Sequence, residues 1–454
     1  MQSRKARPVR IHRLVIVGML LACLIRPAPA LADVGTVWIA QGAAITPGEE
    51  PTRVQMMTET VTLSVEPLTT DDPSSARLDE RMVVHVVANF EMLNRSTEVE
   101  TLDVWFPLTT GIGYHSPSAA EYPSQAENFE AWVNGESVPV TEAPGRDLLG
   151  FRDSVPWATW PVTFSPEQEV QLRVTYDVHP VEWGGWAVVH YILETGAGWS
   201  GPIRRGTVTF RLPYEVTPMN VQLAEIRQAY AAAGRPFDVA VEGSDVTFRF
   251  TDLEPKPSSP DRLQALNPFP ETDNLIVPLM PPSAWAEIEA AQADAEAHPE
   301  SIEAQLRLAE ALAAGTQRVK WLSDTETNAL LIEETEATYQ RALELAPEDV
   351  DARVAYLEWL AIPRYDDGED PTLGPGFDAL LAETQELAPG DQRVRRVAVS
   401  AKQWREERAA IRSEAPAPTV LMPPSGSANR GGIWAAGVAL VGLMLILSKM
   451  EVDR

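Results

Sequence analysis

The feature that most constrains this chain is a change of hydrophobic period part-way along it. From residue 33 to about 255 apolar residues recur at every second position, as strands require. From Ser283 to about Ile411 they recur at helical spacing, in a composition dominated by Ala, Glu, Leu and Arg. Between them runs a proline-loaded stretch, 256–282. The β part shows clean alternation at Val61-Thr62-Leu63-Ser64-Val65 and a valine-rich run from Met82 to Phe90. Asn134-Gly135 sits between two short apolar runs, which is a strong hairpin signal. At least eight short strands with turn residues between them, and no strand–helix alternation, predict an all-β antiparallel sandwich over 33–255. One helical interruption, Asn220 to Ala233, is expected inside it.

The helical part, 283–412, is read as hairpins. Ala304, Leu308, Ala309, Leu312 and Gly315 resemble the first helix of a tetratricopeptide repeat; Tyr339, Ala342, Leu343 and Pro347 resemble the second. Pro299, Pro347 and Pro389 each precede a helix start, at Ile302, Val350 and Gln392. The prolines are 48 and 42 residues apart, against about 34 in that family. Two insertions, Thr316 to Glu333 and Pro363 to Gly376, absorb the excess. Thr335 departs from the family pattern, which has a small alanine there.

The two ends carry membrane signals. Residues 1–32 combine Arg4, Lys5, Arg7, Arg10 and Arg13 with an apolar run, Leu14 to Ile25, and Ala30-Leu31-Ala32, the pattern of a cleaved secretory signal. Residues 432–448 are long enough to span a bilayer as one helix. A Pro/Gly/Ser spacer, 413–431, precedes that helix, and a short tail, 449–454, follows it. Within the spacer, Met422-Pro423-Pro424-Ser425-Gly426 resembles a degenerate sortase sorting signal. The expected placement is a bacterial single-pass membrane protein with its bulk outside the cytoplasm. The only cysteine, Cys23, falls in the signal, which leaves no disulfide or cysteine metal site in the mature chain.

The charge excludes one partner class. With 37 basic and 65 acidic side chains, the net charge of −28 is unsuited to nucleic acid. Residues 283–390 alone hold 24 acids against 6 bases, either a groove for a basic partner or a solvated surface. Asp391 to Glu414 turns mildly basic, with Arg393, Arg395, Arg396, Lys402, Arg405, Arg408 and Arg412 against four acids.

A thirteen-residue block, Tyr191 to Ile203, resembles the Tyr-x-Leu-x-Thr-Gly-x-x-Trp-x-Gly-Pro-Ile segment of a bacterial family of secreted β-domains of unknown function. Its matching residues include Tyr191, Thr195, Gly196, Trp199, Gly201 and Pro202. The resemblance implies an extracytoplasmic β-domain and supplies no activity. Physically, Gly196, Gly198 and Gly201 read as positions of positive φ, and Trp199 as a cover for the core's end.

No catalytic constellation stands out. His85, His115, His179, His190 and His298 have no second histidine at metal-ligand spacing, and Asp366 to Asp370 lacks the alternation of a calcium loop. No metal or cofactor is expected. Trp157, Trp160, Trp183, Trp186 and Trp199 fall within 43 residues and are the one unusual enrichment. They are candidate ligand contacts for a sugar face, or else core tryptophans. The leading expectation is a non-enzymatic binding protein for a protein partner. A polysaccharide-binding module and a hydrolase with an acidic site are the alternatives.

Overall fold

The computed structural model describes residues 45–47, 51–68, 82–108, 126–145, 154–183, 186–232, 234–255, 274–319, 326–362 and 373–414. Its strands run in chain order β1 (Val54–Pro67), β2 (Met82–Asn94), β3 (Glu100–Pro107), β4 (Glu127–Val133), β5 (Glu136–Val138), β6 (Thr141–Gly145) and β7 (Val155–Phe164). There follow β8 (Glu169–Val178), β9 (Val181–Trp183), β10 (Trp186–Tyr191), a 3-10 turn at Glu194–Gly198, and β11 (Ile203–Arg211). Helix α1 (Leu223–Ala232), β12 (Asp238–Glu242), β13 (Asp245–Leu253) and β14 (Leu275–Leu279) complete this half. Six helices then follow: α2 (Pro282–Ala297), α3 (Ile302–Val319), α4 (Glu326–Leu345), α5 (Val350–Leu360), α6 (Phe377–Leu387) and α7 (Gln392–Glu414).

The expected all-β antiparallel sandwich is corrected by the pairing. An eight-stranded sheet has the order β12-β13-β11-β1-β2-β8-β4-β5, and one of its interior pairs, β1 and β11, is parallel. Two three-stranded sheets, β14-β10-β9 and β3-β7-β6, accompany it. The molecule is therefore mixed α/β, with seven helices among the described residues. Period-2 alternation shows that a segment is a strand but says nothing of its direction. A parallel pair needs a long crossover, and here everything from β2 to β10 lies between the two partners.

The helices also depart from a tetratricopeptide array, and that expectation is corrected too. In a repeat solenoid each unit buries its face only on its neighbours. Here Trp285 and Ile288 of α2, Ala304, Leu308 and Leu312 of α3 and Leu331 of α4 belong to the same buried cluster as the sheet residues Leu63, Phe210 and Phe248. A second cluster lies within the helices and joins Ala309, Ala313, Tyr339, Tyr356, Trp359 and Phe377. Helix lengths of 16, 18, 20, 11, 11 and 23 residues show no repeating unit. The helix starts themselves fall where the prolines place them, with Ser301 and Asp349 accepting from the amides of Ala304 and Ala352 as caps.

Several polar contacts pin the helices to the β half. The Tyr214 hydroxyl donates to the carbonyl of Met280, and its ring lies 6.2 Å from that of Trp285. Glu225 of α1 accepts from the amide of Glu326 at 2.6 Å and so caps the start of α4. Tyr230 of α1 donates to Asn274 and accepts from Ile276, which holds β14 in place. The proline-rich stretch 256–282 thus contains a fully buried strand, β14.

No helix among the described residues is long and apolar enough to cross a membrane. The expected single-pass anchor is corrected to this extent: no described helix supplies it, and the segments on which it rested, 1–32 and 432–448, lie outside the described residues.

Trp285 is 6% exposed and sits at the seam between sheet and helices. Trp285→Ala should lower stability by about 3–5 kcal/mol. Because one core crosses the seam, strand and helix signals in circular dichroism should shift together in a chemical denaturation. A loss confined to the helices would contradict the shared core.

Candidate functional site

Four of the five clustered tryptophans are closed into the core: Trp157, Trp160, Trp186 and Trp199 are each at most 5% exposed. The side chain of Trp183 lies outside the described part. Trp160 packs on Phe129 at 5.8 Å, and Trp199 stands edge-on to Phe164 at 6.3 Å. The Trp199 indole donates to the carbonyl of Ile45 at 2.9 Å. None of these four rings offers a free face for a sugar.

The Tyr191–Ile203 block folds against the end of β1. Thr195 is buried and donates to the carbonyl of Ile192, while the carbonyl of Pro202 accepts from Gln55 of β1 at 2.9 Å. Gly201 has φ +69°, as a turn glycine would. Gly196 and Gly198 differ from the expectation and lack positive φ. At Gly198 the requirement is space: a Cβ there would stand 2.7 Å from Thr46 Oγ1 and 2.8 Å from Pro47.

The block also forms a contact that the strand pattern alone conceals. The Tyr191 hydroxyl donates to Glu59 Oε1 at 2.7 Å, linking the three-stranded sheet to the centre of the eight-stranded one. Glu59 occupies a core-facing position of β1, is 1% exposed, and pairs with Phe90 on one side and Gly206 on the other. Its Oε2 is buried without a hydrogen-bond partner. Burial pushes the carboxyl up to about 7, against the smaller opposing effect of the Tyr191 bond. Burial and then the Glu59 charge push the Tyr191 hydroxyl further up, and burial holds the His190 imidazole down at about 3. A carboxyl titrating near neutrality suits general acid catalysis only where substrate can reach it. Glu59 is sealed, so its consequence is for stability.

The histidines at the solvent side form pairs. His85 Nδ1 lies 2.5 Å from Asp177, which also accepts from Asn128 at 2.7 Å, and His85 Nε2 lies 3.5 Å from Glu66. No group of three or more metal-ligating side chains is assembled among the described residues. His115 and the acidic run Asp366 to Asp370 lie outside them.

An open concavity occurs elsewhere, between the start of α6 and the second half of α7. This cleft, of about 490 Å³, is lined by Leu373, Phe377, Asp378, Trp404, Arg405 and Arg408, among others. Helix α7 folds back on the preceding helices through Val394, Val397 and Ala401, which are buried, and through Arg393, which pairs with Asp351 and Asp391. That packing leaves Trp404 half-buried. Arg405 Nη2 donates to both oxygens of Asp378, at 3.0 Å each, and its guanidinium lies 5.7 Å from the centre of the Phe377 ring. Helix α6 starts from Gly376 at φ +79°, with no side-chain cap, so its positive end lies beside Asp378. The volume is within the range of small-ligand and peptide side-chain sites. Arg405 and Arg408 were visible in sequence as part of the basic terminal stretch; Phe377 and Trp404 were not, because only the fold brings them opposite each other.

No family model matches this chain, and no curated protein does. Among solved structures, a candidate nutrient binding protein from Legionella pneumophila is similar with a TM-score of 0.39 and 14% identity, over 68% of this chain and 99% of that one. An M1 zinc metallopeptidase from Deinococcus radiodurans has a TM-score of 0.24 and 13% identity, over 45% of this chain and 40% of that one. A candidate protease from Parabacteroides distasonis has a TM-score of 0.26 and 11% identity, over 78% of this chain and 60% of that one. Likenesses this slight say nothing about activity here.

The buried pair fixes a pH dependence. The folded state holds the Glu59 proton up to about pH 7, whereas the ordinary value is 4.5, so its contribution is complete below 4.5 and is lost as pH rises through about 7. His190 acts oppositely: its contribution is complete above 6.5 and is lost as pH falls toward about 3. Between about pH 4.5 and 6.5 the two contributions change with opposite sign and nearly equal slope, so the stability of the native chain should vary little there. Glu59→Gln should remove the opposing carboxyl and unmask His190, so that the variant gains roughly 3 kcal/mol of stability from about pH 4.5 to 6.5. A variant whose denaturation midpoint stays flat over that range would contradict the assignment.

Proposed function

We propose that this protein works by binding a protein partner, without a chemical step of its own, and that the partner seats in the cleft between α6 and α7. The observation that carries this reading is the lining of that cleft. Tryptophan and arginine are the residues that most often dominate binding energy at protein interfaces, and here they stand with Phe377 around one concavity. The groups best suited to chemistry by their titration, Glu59 and His190, are sealed inside the β half. Of the two readings that sequence offers for the tryptophan cluster, a sugar platform or core, the burial of Trp157, Trp160, Trp186 and Trp199 favours core.

A peptide-display selection against the full chain tests the reading. Ala409 is an exposed residue of α7 in the cleft wall, so Ala409→Trp fills the cleft without opening the core. Selected peptides should bind the variant at least about tenfold more weakly, a loss of about 1.4 kcal/mol. Failure to select any peptide, or equal binding to the variant with an unchanged melting temperature, would remove the cleft as the binding site.

A further inference from the structure

The cleft already contains a carboxylate, and how that carboxylate is held indicates what the cleft receives. Asp378 engages Arg405 through Nη2 alone, with both of its oxygens on that one nitrogen. The planar guanidinium is best matched by a carboxylate that takes two parallel N–H groups, an arrangement Asp378 does not reach from its own helix. The Asp378 side chain is 73% exposed and that of Arg405 46%, so the pair is a solvent-screened one that an incoming group can exchange at little cost. Arg405 and Arg408 lie one turn apart on α7 and share a face. Leu373, Phe377 and Trp404 provide apolar wall next to them.

Charge selects the occupant. Helix α7 carries seven bases and three acids in a chain whose net charge is −28. An acidic partner is attracted to this helix and repelled by much of the remaining surface, which gives orientation as well as attraction.

Building on the binding reading above, we propose that the cleft takes an acidic peptide segment. An apolar or aromatic residue of the segment packs on Phe377, Leu373 and Trp404. The neighbouring Asp or Glu carboxylate replaces Asp378 on Arg405. Asp378 is then an internal competitor, which keeps Arg405 oriented when the cleft is empty and weakens binding of weak ligands.

Calorimetric titration of the full chain with two probes tests this. One is acetyl-Leu-Glu-Phe-Glu-Leu-amide; the other has both Glu residues replaced by Gln. The acidic probe should bind at least about tenfold more tightly than its neutral counterpart, and the difference should shrink as salt is added. Asp378→Asn should raise affinity for the acidic probe several-fold and leave the neutral probe unchanged. Arg405→Gln should erase the discrimination while the melting temperature holds. Equal binding of the two probes, or no gain in Asp378→Asn, overturns the proposal. Binding of phosphatidylglycerol vesicles without binding of the acidic peptide also overturns it, in favour of a lipid surface. If display selection yields peptides that need the open cleft but carry no acid, this inference fails while the binding reading stands.

Discussion

The fold depends on β1 and on the apolar contacts of its inward face. This 14-residue strand is central in the large sheet, antiparallel to β2 and parallel to β11. Val61, Leu63 and Val65 of its inward face enter the cluster that also receives Trp285, Leu308 and Leu331 from the helices. Burying apolar area is non-directional, so one continuous core can tie a sheet to helices without matching hydrogen bonds across the seam. The polar contacts at the seam, Tyr214 to Met280 and Glu225 to the start of α4, then set its register.

The same strand introduces a costly feature into the interior. Glu59 interrupts the apolar face of β1, and its apolar neighbours make ionisation unfavourable. Tyr191 satisfies one oxygen and in doing so fastens the three-stranded sheet β14-β10-β9 to the large one. Held neutral, the pair is a specific link between two layers; ionised, it becomes a buried charge with a single hydrogen-bond partner. Stability and cross-sheet specificity are therefore coupled to one proton. In the last two helices the electrostatics are of the opposite kind. Arg405 and Asp378 are exposed and screened, so their pairing is exchangeable, which suits a site meant to be occupied by something else.

Much of the local structure was legible in the residues. The Asn134-Gly135 turn closes β4 onto β5, and helices begin at Ile302, Val350 and Gln392, after the prolines that announce them. These features depend on backbone preferences within a few residues. The tryptophan cluster left two readings open because its enrichment is the same whether rings face water or one another, and only packing distinguishes the two. The tetratricopeptide likeness misled, and for a related reason. Small residues at helical spacing, such as Ala304 and Ala309, permit close packing on any partner; Ala304 belongs to the core shared with the sheet, and Ala309 to the cluster within the helices.

What the sequence by itself determined is the identity of its segments: strands to about residue 255, helices from about 283, an acidic chain with one basic terminal helix, and a conspicuous Tyr191–Ile203 block. Periodicity and propensity are local, and they report locally. Tertiary structure alone decided strand direction, the sharing of one core by sheet and helices, the meeting of Glu59 with Tyr191 from 132 residues away, and the cleft that sets Phe377 opposite Trp404. Each of these is a contact between residues distant in the chain, and its free energy depends on what surrounds both partners, which no window of sequence contains.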